Sequence, residues 1–522
     1  MNILNTFLFF TLLLILNKNC RLKIEKIFSH KIFIKINKFF SLFIILNIFF
    51  LILFSTFYLF SNFYLDHVEP QIATVSWFFE YKKIIYNDTS DYERYALIFG
   101  PITYYSNYLM MKLFGPSILS SKIISYIFLN LTLLLTFINS YKTTKKINFS
   151  LFLTGIMAMI FLSTVEATLR ISNDSLAYFL ISLSILLCIS KYSSLNLIFL
   201  SFIIVLLINI KPNLSVAALP SIFYFFFNSK KILKNLIVFS LIVVSVSIVI
   251  WSSNYFSIQN YIIWSDLISQ FEFRDGFNFG RLLKNISFCL IWIIPLLFLH
   301  LFDWKKISIS ERIFFLLMLF SSLILSISGS RPGAGTAGLF SIVPSALYLL
   351  SKSYQRKTFF LNKEINSFNY LFIYLLLLVF LHSSTKGLLK KINFLNQNNY
   401  SNHIIEIKKI LSDHPNKRIN MAYGSSYNSY LISYLRPILT WDRNNFILDV
   451  PHLVSTVSNL QLNPIFLEEC SNDAYIVLID DQPFKSKYWN ITLFDKEFLD
   501  RFYNNFYKKK NFEFFELWEC SK

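Results

Sequence analysis

The sequence lacks the short motifs that identify nucleotide-dependent and zinc-dependent enzymes. It contains no G-x-x-x-x-G-K-S/T phosphate loop and no Rossmann fingerprint following a strand. Only 5 Cys and 7 His are present, and the cysteines show no zinc-ligand spacing. Internal repeats, low-complexity linkers and a convincing inverted duplication are also missing. These absences count against a nucleotide-binding fold, a zinc module, a repeat protein and a transporter built from duplicated halves.

Apolar side chains are what the sequence has in excess. Its 522 residues are 55% hydrophobic and 18% aromatic, and the mean hydropathy is +0.51. This apolar content exceeds that of soluble chains, and it is gathered into runs of about 16 to 24 residues, close to the length that crosses a bilayer. The sequence therefore predicts a polytopic integral membrane protein.

The net charge of +19 indicates an anionic partner, and the position of the cations decides which one. The Lys and Arg residues lie between the apolar runs, which is typical of a chain at a membrane surface and not of a nucleic-acid-binding protein. The positive-inside rule assigns the basic segments to the cytoplasmic face: 18–38, 142–146, 230–234, 305–312 and 352–363. We therefore expect a multi-pass protein of the cytoplasmic (inner) membrane that binds no nucleic acid.

The order of apolar runs predicts a mainly α fold, a helical membrane bundle of about 11–12 spans with a small C-terminal extracytoplasmic α/β domain. The predicted spans are 39–61, 117–140, 148–164, 175–190, 194–210, 213–228, 235–251, 285–302, 312–328, 337–350 and 368–384. A transmembrane domain is expected over 1–385, with a first external loop at about 62–116. The run 3–16 lacks the flanks of a signal peptide and is interpreted as an extra membrane segment.

The composition changes after about residue 390, where 386–522 is expected to form the α/β domain. Strands are predicted at 418–423, 475–479 and 512–518, with helices after 426 and over 494–507. Cys470 and Cys520 both fall in this segment, where a disulfide is chemically permitted; unpaired thiols are the alternative. The turn at 424–426 either holds a phosphate at a helix N-terminus or simply connects a strand to a helix.

Ionisable residues recur at the predicted external ends of the spans. They are Asp66, Glu69, Arg94, Glu166, Arg170, Asp174, Lys211, Arg274, Arg281 and Arg331. Carboxylates and cations gathered on one surface suit transfer of a group from a phosphate leaving group to a hydroxyl. A carboxylate accepts the proton of the acceptor hydroxyl while Arg or Lys neutralises the phosphate, and an inverting displacement places base and leaving group on opposite faces.

Each of these residues also has a simpler interpretation. Glu166, Arg170 and Asp174 are spaced like an ion-paired helix end, and Lys211 before Pro212 is typical of a turn with a snorkelling lysine. The glycine-rich segment 331–338 either lets backbone amides approach a phosphate or makes a turn between helices. Asp66 directly follows a span, where an acid is costly unless it is hydrated or used, so its position favours a functional role.

The first loop also resembles a known family. The resemblance is to bacterial relatives of the protein O-mannosyltransferases and the lipid A aminoarabinose transferase, which are integral membrane glycosyltransferases of the C-type superfamily. It is carried by Asp66-His67-Val68-Glu69-Pro70, Trp77, Tyr86, the segment 94–101 (Arg-Tyr-Ala-Leu-Ile-Phe-Gly-Pro), the segment 113–115 (Leu-Phe-Gly) and, weakly, 332–336 with Pro344. Roughly residues 40–350 are covered.

The resemblance implies a role for several of these residues. Asp66 would be the catalytic general base, Glu69 its second carboxylate, and Arg331 would stand near the donor phosphate. The position of Arg94, Arg170 and Lys211 at the ends of predicted spans independently predicts that they bind this phosphate. The implied donor is a sugar on a polyprenyl-phosphate carrier, and the acceptor is a hydroxyl of a glycan, lipid or protein. No cofactor is required, and no His/Asp cluster calls for a divalent metal. Aromatic side chains from Trp77 to Tyr105 either stack on sugar rings or form an interface belt.

Two other function classes stay open from the sequence. A transporter or flippase for lipid-linked glycans is also polytopic and basic, but it is expected to carry ionisable residues within its spans or repeat symmetry. A polysaccharide polymerase or ligase uses a large external loop rich in Arg and His, for which 252–284 is the candidate. A non-catalytic membrane scaffold does not explain the acidic first loop.

Overall fold

The computed structural model describes residues 31–65, 68–86, 99–163, 168–190, 192–229, 231–274, 279–303, 307–330, 336–356, 401–415, 417, 419–422, 429–442, 470, 475–479, 487–488, 491–492 and 496–521. Within this part of the chain four helical segments are long and apolar enough to cross a membrane, namely Ser41–Phe60, Ile118–Thr144, Ile232–Trp251 and Ile309–Ser328. Shorter apolar helices accompany them. The chain is an integral membrane protein with a mainly α fold.

The structure describes thirteen α-helices between residues 31 and 355. They are α1 Lys31–Phe60, α2 Val68–Trp77, α3 Pro101–Phe114, α4 Ile118–Thr144, α5 Ile147–Ser163, α6 Asp174–Ile189, α7 Ser194–Ile210, α8 Leu219–Phe227, α9 Ile232–Trp251, α10 Ile258–Arg274, α11 Phe279–Asp303, α12 Ile309–Ser328 and α13 Val343–Gln355. Two 3₁₀ segments, Pro212–Ala218 and Thr336–Ile342, lead into α8 and α13. Pro220 and Pro344 stand in the first turns of those two helices, where a missing N–H costs nothing.

The chain divides into two compact units. The first comprises 1–59, 125–248 and 276–394, and its helix pairs α8 with α12 and α6 with α7 pack directly. Close packing in this unit requires a glycine on α5, because a Cβ at Gly155 would lie 2.5 Å from the carbonyl oxygen of Ile44 on α1. The apolar runs therefore bury one face against neighbouring helices and leave the other face for lipid.

The second unit comprises 60–124, 249–275 and 395–522. It contains the first polar loop with α2 and α3, the helix α10 and the C-terminal segment, in which α15 (Ser429–Trp441) packs on α2. A division of the chain at residue 385 was expected from the sequence. That division stays a prediction, and the second compact unit contains both 60–124 and 395–522.

A small mixed sheet lies in the C-terminal segment. Besides α15, this segment contains α14 Ser401–Asp413, β1 Ile419–Ala422, β2 Tyr475–Ile479, β3 Lys487–Tyr488, β4 Ile491–Thr492, α16 Lys496–Asn505, β5 Phe506–Asn511 and β6 Phe515–Cys520. The strand order is β1-β2-β6-β5, with β1 parallel to β2 and the other pairs antiparallel, while β3 and β4 form a separate pair. A disulfide joins Cys520 at the end of β6 to Cys470, with the two Cα atoms 5.2 Å apart.

The helical membrane bundle and the C-terminal α/β segment that the sequence predicts are confirmed. The span predicted at 213–228 begins as a 3₁₀ segment, and the helix predicted over 494–507 ends at Asn505, where β5 starts. The loop predicted at 252–284 is largely helical, since it contains α10 and the start of α11. The span predicted at 368–384 and the turn at 424–426 lie outside the described residues.

Candidate active site

A buried ion pair stands in the first unit, at the ends of two neighbouring apolar helices. Asp174 occupies the first turn of α6 and is wholly buried, and Lys211 is the C-cap of α7. The Lys211 Nζ donates to Asp174 Oδ1 at 2.6 Å, and the Ser172 hydroxyl donates to Asp174 Oδ2 at 2.5 Å. The Lys211 side chain keeps 18% of its surface exposed, so the pair is open to solvent or ligand on the lysine side.

The local sequence explains why these two charges meet. Asn173 adopts a left-handed conformation with φ of 59°, which turns the chain into α6 and places Asp174 at its N-terminus. At the end of α7, Pro212 follows Lys211 and opens a 3₁₀ segment, so the α-helical hydrogen bonds stop there. A carboxylate at a helix N-terminus and an ammonium at a helix C-terminus are each favoured by the helix dipole.

Arg170 belongs to the same cluster. Its carbonyl oxygen accepts a hydrogen bond from the Ser125 hydroxyl at 3.0 Å, which fixes the backbone four residues before Asp174. The half-buried Arg170 guanidinium and the Asp174 carboxylate both interact electrostatically with Tyr178, one turn along α6. We call Arg170, Ser172, Asp174 and Lys211 the Asp174 cluster.

This geometry corrects two of the simpler interpretations. Arg170 and Asp174 do not share one helix end, because residues 170–173 form a turn and α6 begins only at Asp174. Lys211 is more than a snorkelling lysine, since its ammonium contacts a buried carboxylate 37 residues away along the chain. Glu166, the third member of the expected ion-paired helix end, lies outside the described residues.

A second cluster of ionisable groups lies in the second unit, around the start of the first loop. Glu69 stands in the first turn of α2 with no exposed surface, and its Oε2 accepts the Leu65 N–H at 2.6 Å. Tyr64 is also fully buried, and its hydroxyl lies 3.0 Å from the Ser121 hydroxyl. Burial raises the pKa of Tyr64, so its hydroxyl stays protonated.

Lys122 completes this group, and the sequence analysis did not select it. The Lys122 ammonium donates to the carbonyl oxygens of Ser61 at 2.8 Å and Phe63 at 2.7 Å, and to the Ser61 hydroxyl at 3.1 Å. Only 1% of its surface is exposed. We call Tyr64, Glu69, Ser121 and Lys122 the Glu69 cluster. One signal was available, since Lys122 is the only charged residue in the predicted span 117–140.

Aromatic side chains after α2 form a packed core. Tyr86 and Tyr104 are buried, Tyr86 stacks on Trp251 with ring centroids 5.7 Å apart, and its hydroxyl donates to the Phe99 carbonyl at 2.6 Å. Burial raises the pKa of both tyrosines. These rings therefore stabilise the unit from inside, whereas Tyr105 on α3 is 50% exposed and is available for contact with lipid or sugar.

An exposed cluster joins the turn after α2 to α3 on the surface of the same unit. The Tyr108 hydroxyl and the Lys112 ammonium donate to Glu80 Oε2 at 2.8 Å and 3.2 Å. These hydrogen bonds lower the pKa of Glu80. The Lys112 ammonium also donates to the Tyr108 hydroxyl at 2.8 Å, and this bond, with the bond to Glu80, raises the pKa of Lys112. Sequence analysis did not identify this group, whose exposure and mutual pairing are typical of a structural surface contact.

Four residues selected from the sequence, Asp66, Arg94, Glu166 and Arg331, lie outside the described residues, and Arg274 is described in its backbone only. The catalytic and phosphate-binding roles of the selected residues therefore stay predictions. Among the residues that the structure describes, no three His, Cys, Asp or Glu side chains are gathered in a way that could hold a metal ion.

Comparison with known proteins finds a solved structure with a similar fold. No protein-family model matches the chain, and no match was found among the curated proteins. The crystal structure of ArnT from Cupriavidus metallidurans bound to undecaprenyl phosphate is similar, with a TM-score of 0.54 and 10% identity over 90% of this chain and 96% of that one. The apo-state crystal structure of the same protein gives a TM-score of 0.48 and 12% identity over the same shares. The fold of this chain is therefore similar to that of ArnT, and the resemblance found in the sequence is confirmed at the level of the fold.

Proposed function

We propose that this protein is a membrane glycosyltransferase that moves a sugar from a polyprenyl-phosphate carrier to a hydroxyl of an extracytoplasmic glycan, lipid or protein. The observation that carries the proposal is the similarity in fold, over 90% of the chain, to a protein whose structure holds undecaprenyl phosphate. A donor of this kind explains why the enzyme is built in the membrane. The isoprenoid tail stays among lipid chains while the phosphate lies at the interface.

The Asp174 cluster supports a phosphate-bearing substrate. Its buried carboxylate is compensated by Lys211, whose side chain is 18% exposed, and half-buried Arg170 stands four residues away. Fixed cations in a partly desolvated setting stabilise a departing phosphate more strongly than cations in water, because the effective dielectric constant is lower. Lys211 and Arg170 are therefore proposed to bind the donor phosphate, together with Arg94 and Arg331 as expected from the sequence.

The proposed reaction is one inverting displacement. Asp66 accepts the proton of the acceptor hydroxyl, the hydroxyl oxygen forms a bond to the anomeric carbon, and the bond from that carbon to the phosphate oxygen breaks. The electron pair leaves with the polyprenyl phosphate, whose charge the cations neutralise. Glu69 is better suited to positioning than to proton transfer, since it has no exposed surface and its carboxylate accepts the Leu65 N–H.

The test uses full-length protein in lipid nanodiscs with a panel of undecaprenyl-phosphate sugars and a cell-envelope extract as acceptor. We expect one donor to be consumed with release of undecaprenyl phosphate, and we expect Asp66→Asn to lose that turnover by about 100-fold or more while inserting normally. Asp413→Asn is the matched control, because Asp413 is an exposed carboxylate at the end of α14. Full turnover by Asp66→Asn would overturn the base assignment.

The same assay separates the enzyme from its rivals. A flippase would move the lipid-linked sugar across the bilayer without cleaving it, so both donor and carrier would be recovered unchanged. A polymerase or ligase would transfer a lipid-linked chain of sugars in place of a single residue. Consumption of no donor in the panel by wild-type protein would refute the proposed function.

A further inference from the structure

We infer that Lys122 is a positioning residue: with the buried Glu69 carboxylate as its counter-charge, its ammonium holds the backbone of 61–65, which leads directly into Asp66. The inference deepens the proposed function and rests on it. Lys122 comes from the first turns of α4, far from this segment in sequence, and so ties a membrane helix to the start of the first loop.

The hydrogen bonds of Lys122 argue against a ligand-binding role. An ammonium has three N–H donors. In this structure they have three acceptors, the Ser61 carbonyl, the Ser61 hydroxyl and the Phe63 carbonyl, all within 3.1 Å. A lysine with all three donors used in this way, and with 1% of its surface exposed, has no donor left for a phosphate.

The same ammonium also lies over two aromatic rings of the segment. Its Nζ is 5.5 Å from the ring centroid of Phe63 and 5.6 Å from that of Tyr64, within the range of cation–π attraction. The Tyr64 hydroxyl meets Ser121, the residue before Lys122, at 3.0 Å. Two adjacent side chains of α4 therefore hold both the backbone and the side chains of 61–65.

Glu69 holds the other end of this segment. Its carboxylate accepts the Leu65 N–H at 2.6 Å and interacts electrostatically with both Lys122 and Tyr64. A buried charge is tolerated only when an opposite charge or hydrogen bonds compensate it. The charges of Lys122 and Glu69 thus compensate one another, and the hydrogen bonds of both side chains hold the backbone of 61–65, immediately before the proposed base.

The geometry makes Lys122 and Glu69 supporting groups for catalysis. A general base works only when it is held within hydrogen-bond reach of the acceptor hydroxyl, and a displacement of about 1 Å can cost about 100-fold in rate. Loss of the Lys122 contacts is expected to loosen the attachment of 61–65. The donor-binding residues proposed above are not among these contacts. Loss of the Lys122 contacts is therefore expected to lower kcat and to leave KM for the donor nearly unchanged.

The experiment compares Lys122→Met with Lys142→Met in nanodiscs. Lys142 lies on the same helix but is exposed, and its ammonium donates to the Ser190 hydroxyl, which makes it a matched control. We expect Lys122→Met to lower kcat about 10- to 100-fold with little change in KM for the donor, and Lys142→Met to change neither. Amide hydrogen exchange of 61–65 should be faster in Lys122→Met than in wild type, a readout that does not depend on activity.

Lys122→Arg covers the case in which Lys122→Met fails to fold. It keeps the charge opposite Glu69, but a planar guanidinium cannot reproduce the three acceptor contacts of an ammonium. We expect it to fold and still to lose kcat and amide protection. Unchanged kcat and unchanged exchange of 61–65 in whichever variant folds would overturn the inference. If wild type consumes no donor but Lys122→Met still exchanges the amides of 61–65 faster, the role of Lys122 in holding this segment is supported and the proposed function is refuted.

Discussion

The Asp174–Lys211 pair yields a prediction in which the order of three variants matters more than any single value. In Lys211→Met the wholly buried Asp174 carboxylate loses the ammonium at 2.6 Å and keeps the hydrogen bond from the Ser172 hydroxyl. In Asp174→Asn the side chain is neutral, and its single amide oxygen can replace one of the two oxygens that accept from Lys211 and Ser172. The double variant removes both charges together.

The magnitudes follow from burial. Two unit charges about 3 Å apart attract by about 5 kcal/mol at an effective dielectric constant of about 20. Breaking a buried pair by removing one partner costs about 3–5 kcal/mol, and the 18% exposure of Lys211 places this pair at the lower end. We therefore expect Lys211→Met to cost about 3 kcal/mol and Asp174→Asn about 1–2 kcal/mol. The double variant should be more stable than Lys211→Met alone, because no uncompensated charge is left.

The assay is the midpoint of unfolding of purified protein in one detergent, measured for wild type and the three variants at one pH. Lys112→Met serves as control, since it breaks an exposed pair with Glu80 and should leave the midpoint unchanged. If Lys211→Met were harmless, or if the double variant were the least stable of the three, the pair would not compensate a buried charge and the reasoning would be refuted.

Two further predictions concern packing and the C-terminal segment. Gly155→Ala should strongly reduce the amount of folded protein recovered in detergent, because its Cβ would lie 2.5 Å from the Ile44 carbonyl oxygen. Gly338→Ala is the control and should be recovered like wild type, since its Cβ would lie 3.4 Å from the nearest atom, a side-chain carbon. Equal recovery of the two variants would contradict the packing of α5 on α1. Removing the Cys470–Cys520 disulfide by Cys520→Ser opens a loop closed over 50 residues and should destabilise the C-terminal segment by about 4 kcal/mol, seen as faster proteolysis there, with undiminished protease resistance as the contrary result.

The membrane helices could be predicted from the sequence because the signal is local. A run of apolar residues between charged or proline-containing breaks identifies a span without knowledge of its neighbours, and the predicted 148–164 and 194–210 correspond to Ile147–Ser163 and Ser194–Ile210. Hydropathy does not distinguish a 3₁₀ segment from an α-helix within one apolar run. The 3₁₀ segment Pro212–Ala218 is such a case.

The contacts within the candidate site could not be predicted, because they join residues far apart in sequence. Nothing near Lys211 indicates that its partner is Asp174, and nothing near Lys122 indicates that its acceptors are at Ser61 and Phe63. Sequence reasoning can select an ionisable residue at the end of a span. Only the packing of helices decides whether its charge is paired internally or offered to a ligand.

The strand β5 shows the same limit in the C-terminal segment. Its residues are exposed apart from Phe506, so the alternation that identifies a half-buried strand is missing. The strand forms because β6 provides hydrogen-bonding partners, with Phe506 opposite Cys520 and Lys508 opposite Trp518. A lysine-rich edge strand of this kind also resists pairing with another chain.

The most direct test of the account is the release of undecaprenyl phosphate from an undecaprenyl-phosphate sugar by wild-type protein and by Asp66→Asn, measured side by side by mass spectrometry. We expect wild type to release the carrier and form a glycosylated product in equal amounts, and we expect Asp66→Asn, inserted to the same level, to release almost none. Recovery of the intact donor with wild type, or equal release by both proteins, would contradict it.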